Sequence, residues 1–273
     1  MMLLQAGQLG LYRKDSIWTD ELPPDMVAGA TMWLDFTDTE TLFSGAGLDG
    51  GTPSDGQPIL SVADKVGVVA GAKYFSGDAL TASIPGSGVV SATKHFGGTL
   101  QMEVLSAFPN TNASWASITS STTKLIVVGV KVRAAVPYTT APWTADGILS
   151  DGGGYCGLHV MQSDVGDGSL IATAYNYSSG TERADRPIAT NQWSVVTMSQ
   201  QNNTLRCRVN GGAWASTSSA ATAVLTGNVR LPDGATLDAD IAHIATFNTA
   251  QTDAAISAVE HWIANDLGIT PWW

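Results

Sequence analysis

The sequence predicts an all-β fold built of antiparallel sheets, and three observations lead to it. The chain holds 29 Gly among 273 residues and only 14% charged residues, a composition suited to short strands joined by tight turns. Apolar and polar side chains alternate with period two, most plainly from Trp193 to Val209. The Asn210-Gly211 pair then tolerates the positive φ of a type I′ turn, so the strands on either side pair antiparallel.

Residues 1–30 read as an N-terminal arm and residues 31–273 as one sandwich-sized domain. The arm carries the mixed stretch "LYRKDSIWTDELPPDM", stiffened at its exit by Pro23-Pro24, and its apolar Leu11, Tyr12, Ile17 and Trp18 are candidate partner contacts. Thr31 to Phe36 is the first strand, and 44–58 is a long turn-rich loop. Lys124 to Ala134 is β-branched and almost continuously apolar, as expected of a central strand covered on both faces. "GYCGLHVMQ" and "SLIATAYNY" follow as strands around the loop "SDVGDG". In the meander after them, Leu205, Cys207 and Val209 form a dry face and Arg206 and Arg208 a wet one. "ADIAHIATFN" is the last strand. "TDAAISAVEHWIANDLG" is the one convincing helix: Ile256, Val259 and Ile263 share a face, Thr252 is the N-cap, and Gly268 closes the C-terminus. One helix on a β-rich body is expected to act as a lid on a sheet edge or mouth.

Charge and cysteines exclude several functions. The formal net charge is -11, which repels a phosphate backbone and leaves no basic patch for nucleic acid or anionic lipid. No apolar run reaches the roughly 20 residues needed to span a bilayer. The opening "MMLLQAGQLGLYRKD" lacks the basic start of a secretory signal, so synthesis in a bacterial-type cytoplasm is expected. Cys156 and Cys207 fit neither a disulfide framework nor a zinc spacing, and Cys207 reads as a buried, inert thiol.

No catalytic pattern is present, and the chain is expected not to be an enzyme. Glycan cleavage needs two carboxylates facing each other across the scissile bond, but Glu21, Glu40, Glu103, Glu182 and Glu260 form no such pattern. The densest acidic cluster, Asp35, Asp38 and Glu40, is expected to satisfy turn amides. No Gly-x-Ser-x-Gly elbow occurs, and His95, His159, His243 and His261 flank no nucleophile.

Four stretches, in order, resemble the concanavalin A-like, laminin-G-like jelly rolls common in bacteriophage and bacterial surface proteins. They are "MWLDFTDTETLF" (32–43), "GQPILSVADKVG" (56–67), "NQWSVVTMSQQNNTLRCRVNGG" (191–212) and "DADIAHIATFNTAQTDAAISAVEHWIANDLGIT" (238–270). The likeness covers roughly residues 30–270 and not the arm. One departure is His243, at a final-strand position where many relatives carry an acid.

The resemblance implies a jelly-roll β-sandwich and a non-catalytic virion component, either a capsid decoration or part of a tail or fibre. Such a protein would be made in the host cytoplasm, would bind other virion proteins through its arm, and would form homo-oligomers. The alternative it implies is a module that binds host cell-surface glycans, and a glycan-cleaving enzyme comes third. Modules of this kind hold calcium at a loop rim, so Asp164 and Asp167, or Asp146 and Asp151, are the candidate oxygen ligands and calcium the only cofactor to expect. Trp143, Tyr155, Tyr175 and Tyr177 are the candidate rings for stacking on a sugar.

Overall fold

The computed structural model describes residues 22–45, 48–66, 73–76, 80–94, 101–104, 111–112, 120, 123–140, 146–151, 156–176, 182–219, 229–230 and 237–270. In chain order the described strands are β1 (Ala30–Asp35), β2 (Leu42–Phe43), β3 (Ser61–Val62), β4 (Lys73–Ser76), β5 (Leu80–Ser83), β6 (Ser91–Lys94), β7 (Gln101–Val104), β8 (Thr111–Asn112) and β9 (Lys124–Ala134). They continue with β10 (Asp146–Asp151), β11 (Cys156–Gln162), β12 (Leu170–Asn176), β13 (Glu182–Ile188), β14 (Trp193–Gln201), β15 (Thr204–Val209), β16 (Ala215–Ser218), β17 (Val229–Arg230) and β18 (Asp238–Phe247). Helix α1 (Asp253–Asp266) closes the order.

The strands form two antiparallel sheets, as the composition and alternation predict. The first runs β16-β15-β14-β9-β18-β6-β5, with β1 also on β18, and the second runs β13-β12-β11-β10-β17-β7-β4-β3-β2, with β8 on β7. Strands β1 and β6 lie end to end along one edge of the long β18, pairing with His243 to Phe247 and with Ala239 to Ile241. The main core lies between the sheets, where Ile126, Val128, Val130 and Val132 of β9 meet Leu158 and Val160 of β11 and Ala172 and Ala174 of β12.

The turns follow their residue types. Asn210 and Gly211 have φ of 51° and 61°, and Asn202 and Asn203 of the preceding turn have 50° and 57°, the left-handed pairs that tight hairpins require. Cys207 is buried and unpaired, and burial in apolar surroundings pushes its thiol up to about 12, which makes it inert as expected.

Helix α1 corrects two expectations. It lies across the outer face of the first sheet rather than over an edge or mouth, burying Ile256, Val259 and Ile263 against Leu125 and Val127 of β9 and Val195 of β14. Each such aliphatic side chain is worth about 1.5–3 kcal/mol once removed from water. The face expected to be wet is therefore partly dry, and Thr197 and Arg208 are buried under the helix. The helix ends were foreseen: Ala255 N donates to Thr252 Oγ1 at 3.2 Å, and Gly268 follows the last turn with φ of 66°. Residues 22–29, which the sequence assigns to the arm, lie against this helix. Leu22 N donates to Ala258 O, Gln251 Nε2 donates to Ala28 O, and Val27 joins the helix-sheet core.

Candidate functional site

Alternation along β9 sends Leu125, Val127, Gly129, Lys131 and Arg133 to the outer face of the first sheet. Helix α1 covers this row only as far as Gly129, where an added Cβ would stand 2.8 Å from Leu267 Cδ1 and 3.1 Å from Ile263 Cγ2. Beyond the helix end the row turns from apolar to charged. This boundary corrects the expectation that β9 is covered on both faces throughout: Lys131 and Arg133 are each 27% exposed.

Past the boundary the charged residues form a ladder with β18. Lys131 stands opposite Asp240 in register, and its Nζ lies 2.6 Å from Asp240 Oδ2. Arg133 reaches the same oxygen at 2.7 Å through Nη1 and bonds Asp238 Oδ1 through Nε and Nη2 at 2.9 and 2.6 Å. Thr93 of β6 donates to Asp240 Oδ1 at 2.7 Å. Burial works to raise the Asp240 carboxyl, but the bonds from Arg133, Lys131 and Thr93 outweigh it and hold the group below the usual carboxylate range. Burial likewise works against the Arg133 charge, and Asp238 and Asp240 overcome it, so the guanidinium is raised further. Trp193 of β14 flanks the ladder, with Lys131 Nζ 5.3 Å from its ring centroid. Two cations and two anions leave the ladder without net charge. Their fixed donors and acceptors beside an indole suit a polyhydroxylated ligand.

The sequence reading missed this ladder. The signal was available in opposite charges at i and i+2 on two strands, Lys131 and Arg133 against Asp238 and Asp240, which pair across an antiparallel sheet. Which strands would be neighbours was not legible.

Beneath α1 the polar groups are structural. The Arg208 guanidinium meets Glu260 at 2.6 and 2.8 Å, Thr197 Oγ1 also donates to Glu260, and the Glu260 side chain is fully buried. Burial pushes the Glu260 carboxyl up in spite of Arg208. Arg206 and Arg208 lie on Trp214, with 4.3 and 4.2 Å from guanidinium carbon to ring centroid.

The Asp35 and Asp38 cluster serves turn amides as expected: Thr37 N donates to Asp35 Oδ1 and Glu40 N to Asp38 Oδ1. It also makes tertiary ion pairs. Lys65 Nζ lies 2.6 Å from Asp35 Oδ2 and 2.9 Å from Asp38 Oδ2, and the preceding Asp64 accepts from Trp33 N. The Asp-Lys turn of 56–67 and the Trp-Leu-Asp strand of 32–43 are thus tied together.

Only some of the expected ligand residues fall among the described residues. Tyr175 is fully buried on β12, edge-on to His159 at 6.1 Å, so its ring packs on protein and presents no face to a sugar in solvent. Trp143, Tyr155 and Tyr177 lie outside the described residues, as do Leu11, Tyr12, Ile17 and Trp18 of the arm. Asp164 and Asp167 are exposed in the β11–β12 loop, where Asp167 Oδ1 accepts from Ser169 N at 2.8 Å, and hydrogen bonds from the Ser169 side chain and then its backbone lower the Asp167 carboxyl. Asp146 Oδ2 accepts from Val136 N and is buried. No group of three or more His, Cys, Asp or Glu poised to hold a metal occurs among the described residues.

No family model and no curated protein matches the chain. Solved structures do resemble it. The binding domain of botulinum neurotoxin DC in complex with SialylT aligns at a TM-score of 0.56 with 9% identity, covering 86% of this chain and 52% of that one. This chain thus spans about half the length of the neurotoxin chains it resembles, at 51–52%. Domain 4 of AbnA, a GH43 extracellular arabinanase from Geobacillus stearothermophilus, in complex with arabinotriose, aligns at 0.51 with 12% identity, covering 85% of this chain and 98% of that one. Trypanosoma rangeli sialidase in complex with sialic acid aligns at 0.51 with 13% identity, over 89% of this chain and 34% of that one. At such identities the likeness establishes the architecture alone, an antiparallel jelly-roll β-sandwich.

Proposed function

We propose that the chain is a carbohydrate-recognition module that binds without turnover. The observation that carries this reading is the neutral Lys131–Asp240–Arg133–Asp238 ladder beside Trp193, on the half of the sheet that α1 leaves uncovered. The folds it resembles support it, since their names include the ligands SialylT, arabinotriose and sialic acid. Ion pairing holds the ladder's donors and acceptors in place before a ligand arrives, which lowers the ordering cost of binding. Binding without turnover is further supported by Glu260, a buried acid consumed by Arg208 and Thr197 out of reach of any substrate.

A glycan array, followed by calorimetry with and without calcium chelation, tests the proposal. Binding of a defined oligosaccharide with none released on long incubation is expected, and silence across the array defeats it.

A virion setting is the second reading. What favours it, besides the sequence resemblance, is that Leu22 and Val27 are fixed on α1, so the chain enters the domain at one defined place beside the helix. Deleting residues 1–21 is expected to abolish attachment to the particle and leave the sandwich folded; attachment by the truncated protein rules the anchor out.

A further inference from the structure

His243 lies on β18, fully buried, with a carboxylate at each ring nitrogen. Nε2 is 2.9 Å from Asp266 Oδ2 at the end of α1, and Nδ1 is 3.4 Å from Asp35 Oδ1 on β1, the residue opposite it in register. Trp262 of α1 meets the imidazole edge-on at 5.4 Å, and Trp33 of β1 in turn meets Trp262 edge-on at 5.1 Å. Nothing in the fold, the turns or the recognition ladder calls for a titratable ring at this place.

A neutral imidazole has one donor and one acceptor, whereas an ionised carboxylate only accepts. With a neutral ring, one nitrogen lone pair faces a carboxylate oxygen; the ring itself is fully buried, and the Asp266 side chain is 38% exposed. With both nitrogens protonated, Nε2 donates to Asp266, while Nδ1 stands at ion-pair distance from Asp35 without a hydrogen bond. From β1 comes Asp35, whose Oδ1 also takes Thr37 N and Oγ1, and from the end of α1 comes Asp266. Asp38 and Lys65 lie behind Asp35, and β9 contributes only Gly129, which carries no charge. Three carboxylates thus face one lysine and this ring. The Asp266 carboxyl, although burial works to raise it, is held below its ordinary range by His243.

We propose that His243 is a proton-operated latch, whose doubly protonated ring ties the last turn of α1 to the sheet and whose loss of one proton lets that turn lift. The turn it holds contains Ile263 and precedes Leu267, the two side chains that sit over Gly129. Gly129 is the outward neighbour of Lys131 on β9. The latch therefore sets where the covered half of the sheet ends and the charged ladder begins. The device stands whether or not the ladder binds carbohydrate.

Nitrogen NMR of the His243 ring in the full-length protein, scanned between about pH 5 and 9, reads the latch directly, because histidine changes charge in that range. Both nitrogens protonated at the acid end are expected, giving way to one as pH rises. In step with that change, hydrogen-exchange protection factors of the Ile263 to Leu267 amides should fall about tenfold or more. The His243→Gln variant keeps one hydrogen bond and cannot titrate, so its protection should show no such step. A ring with a bare nitrogen at the acid end overturns the proposal even if that variant fails to fold. So does an identical step in His243→Gln.

Discussion

The outer face of the first sheet has two halves made from the same strands. Under α1, β9 presents Leu125 and Val127, β14 presents Val195, and the Arg208–Glu260 ion pair is closed off from water. Beyond Gly129 the same β9 presents Lys131 and Arg133, paired to Asp240 and Asp238 and still partly wet. An ion pair closed off from water has lost hydration on both partners, so removing either leaves an uncompensated charge. An ion pair at the surface keeps a share of its water and is worth little to folding. Similar chemistry is thus sealed under the helix in one half and left partly hydrated in the other.

The largest break in this comparison is expected at Glu260. Glu260→Ala strands the Arg208 guanidinium under the helix and should cost about 3–5 kcal/mol, read by urea unfolding. Gly129 marks the border itself. In Gly129→Ala the new methyl group meets Leu267 and Ile263. A loss of about 1–3 kcal/mol is expected by the same measurement, and an unchanged midpoint would show that the helix end is not seated there. In the uncovered half, Arg133→Ala should weaken the affinity for the best array oligosaccharide by about tenfold, as a lost hydrogen bond from a charged group implies. Full affinity in that variant would move the site elsewhere. Asp238→Ala should change unfolding stability by no more than about 1 kcal/mol, because its partner Arg133 remains bonded to Asp240 and partly hydrated. If it costs as much as Glu260→Ala, the contrast between the halves fails.

Acid sharpens the picture last, since it acts on both halves. Asp240 in the ladder and Asp266 at the helix end have folded carboxyls held below their unfolded range. Their contribution is therefore fully present above the unfolded value near about 4 and is lost as pH falls through the folded values. Unfolding scans from neutral to strongly acid pH should show this loss, and the double variant Asp240→Asn, Asp266→Asn should flatten it.

Much of the fold was legible along the chain because the signals are local. β9 spans Lys124–Ala134 as the β-branched run predicts, the Asn-Gly turn takes its left-handed φ values, and Thr252 and Gly268 bound the helix. The site was less legible. Tyr175 belongs to a strand whose every residue from Ala172 to Asn176 is buried, and alternation could not reveal that its second face is also covered. Arg208 reads as the wet face of a meander and is covered by a helix some fifty positions later in the chain.

By itself the sequence determined the segments that became β1, β9, β11, β12, β14, β15 and β18, the turn at Asn210-Gly211, and that one amphipathic helix follows them, because period, turn residues and caps act over a few neighbouring residues. Only the tertiary structure decided which face the helix covers, where along β9 that cover stops, and that His243 sits between Asp35 and Asp266. Those outcomes depend on contacts between residues distant in the chain, whose approach is set by sheet register and packing, and no local pattern encodes that approach.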